Sequence, residues 1–84
     1  MQPQGVQHQI VLYTRPGCGL CEHAKVALAA VRAEIAFDYR EVDIDSDPAL
    51  YELHKHDIPV IEIDGRRAFK HRIAPDELRE RLLR

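Results

Sequence analysis

The sequence predicts an α/β domain: one mixed four-stranded sheet flanked by helices, in the order β-α-β-α-β-β-α. Three observations carry this. Ile10-Val11-Leu12-Tyr13 is a continuous apolar run, the pattern of a central strand covered on both faces. The residues after Gly19 then change to helical apolar spacing. Near the C-terminus, Asp64-Gly65 separates two short strand-like runs, a strong two-residue hairpin signal.

Each element follows in order. The first strand spans Ile10 to Thr14 and ends in the turn residues Arg15-Pro16-Gly17. Between Gly19 and Ile35, Leu20, Ala24, Ala27, Leu28, Val31 and Ile35 form one apolar stripe of an amphipathic helix. Phe37 to Ile44 mixes polar and apolar residues, as a strand at a sheet edge does. Asp47-Pro48 opens a second helix, with aspartate as N-cap and proline at the first helical position. Leu50 and Leu53 are its expected apolar side, and it must stop before Pro59. Val60 to Ile63 is the third strand, and Arg66 to His71 returns antiparallel to it. Pro75 starts the last helix, with Leu78 and Leu82 on one side. The first connection is expected to join parallel strands.

The chain has 84 residues, enough for one domain, expected over residues 9–84. Residues 1–8 lack apolar patterning and are expected to form a flexible tail, with neither the basic nor the apolar region of a secretory signal. Apolar content of 45% argues against disorder. The net charge of −2 offers no basic footprint for nucleic acid. The longest apolar stretch, Val26 to Val31, is far too short to cross a membrane. A cytoplasmic monomer, with no nucleic-acid or membrane partner, is the expectation.

The chemistry lies in Cys18-Gly19-Leu20-Cys21, which holds the only two cysteines. The pair sits where the first strand gives way to the first helix. A sulfur at a helix N-terminus faces unpaired backbone N–H groups and the positive end of the macrodipole, which favour the reactive thiolate. A cysteine one turn further on is within reach of a disulfide with the first. This pattern points to thiol–disulfide exchange. Two alternatives stay open: buried structural thiols, and a metal site built on Cys18, Cys21 and His23. A structural metal site wants a fourth ligand. None is evident from a second paired motif, although the chain also holds His54, His56 and His71.

The element order, Cys18-Gly19-Leu20-Cys21 after the first strand, and Ile58-Pro59-Val60 entering the third together resemble a small, divergent glutaredoxin of the thioredoxin superfamily. The resemblance runs from about Gln9 to Arg84. It implies a thioredoxin-like fold, a nucleophilic Cys18 and a resolving Cys21. It also implies a cis-proline at Pro59 facing them, so that the backbone of Ile58 and Pro59 can pair with a substrate chain. Tyr13-Thr14-Arg15 matches the family's Tyr-Thr-basic segment, with Arg15 as a positive charge near the sulfur. The resemblance further implies a protein or low-molecular-weight disulfide as substrate and an external reductant, without a bound cofactor or metal.

The chain departs from the family in three places. Gly19-Leu20 stands where Pro-Tyr is usual between the cysteines. Asp57 stands where threonine is usual, two residues before the proline. Phe69-Lys70-His71-Arg72 has no glycine pair. Glutathione is therefore expected to be at most a weak co-substrate. Arg66, Arg67, Lys70 and Arg72 form a basic cluster, read either as a solvated hairpin or as a contact for an acidic partner. A redox-inert adaptor on the same scaffold is the competing function.

Overall fold

The computed structural model describes residues 7–84. Strand β1 is Gln9–Thr14, helix α1 Gly19–Arg32 and strand β2 Asp38–Asp43. A 3₁₀ turn, Ile44–Ser46, leads into helix α2, Pro48–His54. Strands β3, Val60–Ile63, and β4, Arg66–Lys70, precede helix α3, Pro75–Leu82. The sheet order is β2-β1-β3-β4. β1 pairs parallel with β2, from Gln9↔Asp38 to Thr14↔Asp43. β3 pairs antiparallel with both β1 and β4.

Strand parity divides the sheet into two faces. Ile10, Leu12, Ile61 and Ile63 pack with Ala24, Leu28 and Val31 of α1 and with Leu78 and Leu82 of α3. Phe37 completes this core. Each of the larger buried aliphatic side chains contributes roughly 1.5–3 kcal/mol. Tyr13 has the opposite parity and stacks on His54 of α2. Helix α2 therefore covers the other face.

Local signals set the ends of the elements. Asp47 caps α2 by accepting the Ala49 N–H at 2.8 Å. Asp64 and Gly65 take φ of 54° and 85°, as the mirror-image hairpin turn requires. The β3–β4 register slips by one residue, from Ile61↔Phe69 to Glu62↔Arg67, so Ala68 is left as a bulge.

Several expectations need correcting. Leu53 is 64% exposed, and the buried residue of α2 is His54, at 3%. Leu50 is only half-buried. A seven-residue helix presents barely one inward row, and Leu53 falls outside it. Helix α1 stops at Arg32, so Ile35 joins the core from the turn beyond. Phe37, Ile44 and His71 lie just outside their strands, though Phe37 and Ile44 are fully buried. Of the expected tail, 1–6 lies outside the described residues, but His8 is held in place. Its ring bonds the Asp64 carboxylate at 2.6 Å and the Leu82 carbonyl at 3.0 Å. Its own carbonyl accepts the Asp38 N–H at 2.9 Å.

Candidate functional site

Cys18 is the N-cap of α1, with extended backbone at φ −91°, ψ 108°. Its Sγ accepts the Cys21 N–H at 3.1 Å, as a capping oxygen does. Gly17, at φ 81°, supplies the left-handed residue that turns the chain into the helix. The two cysteines are joined sulfur to sulfur, with Cα atoms 5.2 Å apart. They differ in access: Cys18 is half-exposed, whereas Cys21 is fully buried against the core.

Strand β1 delivers the loop to this point. Thr14, its last residue, shares the inward parity of Ile10 and Leu12. It is 7% exposed, and its hydroxyl has no hydrogen-bond partner among the described residues. Arg15 follows. Its guanidinium pairs with Asp45 at 3.3 Å and lies over the Tyr51 ring at 5.4 Å. Part of the charge that its position offers to Cys18 is thus answered by Asp45.

The Ile58–Pro59 peptide bond is cis. Tyr13 pairs with Val60 in the β1–β3 register, so Pro59 comes opposite Thr14, at the sheet end where β1 runs into the cysteine loop. The Ile58 N–H donates to the His54 carbonyl at 3.2 Å, and the Pro59 carbonyl accepts the His71 N–H at 2.8 Å.

Behind this segment lies a polar network that the sequence did not reveal. The His54 ring stacks on Tyr13, centroids 4.3 Å apart. Its Nδ1 is 3.5 Å from Arg67 Nη2, and that nitrogen also donates to Asp57 at 3.1 Å. Tyr13 donates its hydroxyl to Glu62 at 3.2 Å. Burial pushes the His54 pKa down, and the adjacent Arg67 charge adds to this against Glu62 and Asp57. Burial, the Glu62 charge and the Glu62 hydrogen bond raise Tyr13. Burial pulls the Asp57 carboxyl up, but the Arg67 hydrogen bond and the charges of Lys70, Arg67 and His71 outweigh it, so Asp57 lies below the usual range. One sequence signal for this network existed: the outward parity of Tyr13 next to a histidine one turn after Leu50.

The basic cluster is divided. Arg67 is bound to Asp57, whereas Arg66, Lys70 and Arg72 form no ion pair among the described residues. His23 is exposed on α1. Among the described residues no three His, Cys, Asp or Glu side chains gather as metal ligands. No helix there is long and apolar enough to cross a membrane.

Comparison with known proteins places this geometry. The thioredoxin of Fasciola hepatica superposes with a TM-score of 0.62 at 20% identity, over 92% of this chain and 79% of that one. Protein XcR50 from X. campestris superposes with a TM-score of 0.75 at 33% identity, over 87% and 93% of the two chains. The glutaredoxin-like protein YDR286C homolog of Dictyostelium discoideum is 40% identical over 75 residues, 82% of this chain and 69% of that one. The family described as Glutaredoxin-like domain (DUF836) matches residues 9–83. On this match, and on a thioredoxin-like fold with a Cys-x-x-Cys pair at the start of its first helix, the chain belongs to the glutaredoxin-like DUF836 family.

Proposed function

We propose that this protein is a dithiol thiol–disulfide oxidoreductase. The observation that carries the reading is the asymmetry of the pair. Cys18 is accessible and caps a helix, and Cys21 is buried one turn behind it. The Cys18 thiolate attacks one sulfur of a substrate disulfide. A mixed disulfide forms, and the substrate's other sulfur leaves as a thiolate. Cys21 then loses its proton and attacks Cys18 Sγ. The mixed disulfide breaks, the second substrate sulfur leaves, and Cys18–Cys21 becomes a disulfide. Two electrons have passed to the substrate, and an external dithiol or a pair of thiols must return them.

Arg15 supports the thiolate from the loop, in competition with its Asp45 pair. Ile58 and Pro59 form the rim on which the substrate chain lies. Since the Ile58 N–H and the Pro59 carbonyl are already bonded, the Ile58 carbonyl is the group left to meet a substrate N–H. The substrate is a protein or small-molecule disulfide, and glutathione is at most a weak co-substrate. The protein acts as a cytoplasmic monomer.

The test is a trap. Cys21→Ser removes the resolving thiol, so a partner stays attached to Cys18 and is identified by mass. The expected result is a discrete adduct on Cys18 that reductant releases. A variant that forms no adduct, beside a native protein that reduces no disulfide, means the scaffold is an adaptor.

A further inference from the structure

The segment that carries Ile58 and Pro59 is held from several sides, and two of the ties run to the backbone carbonyl of one residue, His54. The His54 carbonyl accepts the N–H groups of both Asp57, at 2.8 Å, and Ile58, at 3.2 Å. The His54 ring is wedged against Tyr13, whose strand leads to the cysteine loop. On its other side stands Arg67, which bonds the Asp57 carboxylate. From beyond the segment, His71 donates its N–H to the Pro59 carbonyl, and its ring bonds the His56 carbonyl at 3.0 Å.

We propose that His54 is the positioning residue of the Ile58–Pro59 rim, and that a proton on its ring loosens that rim. This deepens the oxidoreductase reading, because the rim is where a substrate chain would lie. The reason is the hydrogen-bond polarity. A guanidinium can only donate, so Nδ1, which faces Arg67, must be the acceptor, and the single ring proton sits on Nε2. A second proton has to go on Nδ1. It would point an N–H at the Arg67 N–H and place a positive charge beside the guanidinium on a ring that is itself buried.

The other charges around the ring do not remove this conflict. Glu62 on β3 and Asp57 in the loop favour the cation. However, Glu62 accepts from Tyr13 and Asp57 accepts from Arg67. Lys70 on β4 and His71 act on Asp57 itself. Desolvation and Arg67 outweigh the two carboxylates. The strain of protonation is relieved by moving α2's last turn away from Arg67 on β4, which draws the His54 carbonyl off the Asp57 and Ile58 amides.

The experiment is amide hydrogen exchange on the native protein across the titration of the His54 ring, followed by NMR. Protection of the Asp57 and Ile58 amides should fall about tenfold relative to the β1 amides as the ring charges. His54→Phe keeps an aromatic stack on Tyr13 but cannot be charged, and its protection should stay flat. Protection of Asp57 and Ile58 that holds while the native ring titrates overturns the proposal. The native titration alone is decisive and needs no activity.

A second readout uses insulin as the disulfide substrate. KM should rise by about tenfold on acidification in the native protein and not in His54→Phe, while kcat follows the Cys18 thiolate in both. An equal KM change in the two proteins also overturns the proposal. Absence of insulin reduction at every pH counts against the oxidoreductase reading, and the exchange result still decides the role of His54.

Discussion

The sulfur of Cys18 accepts the backbone N–H of Cys21 at 3.1 Å, so the outer cysteine serves the fold of α1 as well as its chemistry. The two roles separate by substitution. Cys18→Ser keeps a capping atom and should leave the reduced protein's stability nearly unchanged. Cys18→Ala loses the cap and should cost about 1 kcal/mol more, read from denaturant midpoints under reducing conditions. Brief alkylation of the reduced native protein should label Cys18 first and leave Cys21 largely protected, because only Cys18 is accessible. Peptide masses showing Cys21 labelled first would refute the assignment of nucleophile.

Asp57 bears on glutathione. Its carboxylate is held ionised chiefly by the Arg67 hydrogen bond, with the Lys70 charge beside it, so those two cations already have an anion between them. Titration calorimetry with glutathione should show weak binding to the native protein. Asp57→Ala should bind several-fold more tightly, since the competing carboxylate is gone. Tight native binding, unaffected by Asp57→Ala, would restore an ordinary glutathione site.

Asp64 ties the start of β1 to the β3–β4 turn. Its carboxylate accepts from the Gln9 N–H at 2.9 Å and pairs with His8 at 2.6 Å. The Gln9 bond is the larger cause of a lowered pKa, and the His8 bond adds to it, against burial. A carboxyl lowered on folding stabilises the native state fully above its unfolded value, near about 4, and loses this as pH falls through the folded value. The melting temperature of the native protein should therefore drop more steeply on acidification below about pH 4 than that of Asp64→Asn. Asparagine tolerates the positive φ of 54°, so the turn survives and only the charge is tested. Parallel curves for the two proteins would remove Asp64 from the acid response.

Thr14 carries a buried hydroxyl without a partner among the described residues. Such a group costs roughly 1–3 kcal/mol. Thr14→Val replaces it with a methyl of similar shape and should raise stability by about 1 kcal/mol in urea unfolding. A loss of stability specific to the reduced protein would instead reveal a hydroxyl bonded to a free thiol.

Much of the fold was legible because the signals were local. The Asp47 cap, the proline at the start of α2 and the Asp64-Gly65 turn act within a few residues, and the structure forms each where the sequence announces it. The stripe of α1 and the Leu78–Leu82 side of α3 follow from periodicity alone. Leu50 and Leu53 fit a helical stripe, yet in a helix of two turns the direction of the inward row is set by what it packs against, and Leu53 faces solvent. Here Tyr13 presents a flat ring, and the imidazole of His54 covers it better than an aliphatic side chain would.

The sequence by itself determined the order of elements, the turn chemistry, and the placing of Cys18 at a helix start with Cys21 one turn behind. Each of these depends on neighbours along the chain. Only the tertiary structure decided which cysteine is buried, that Arg15 is shared with Asp45, and that His54 stands between Tyr13 and Arg67 behind the Pro59 segment. Those relations join strands and helices far apart in sequence. Their charges and rings meet only once the β1–β3–β4 register is set, and no periodicity records that register.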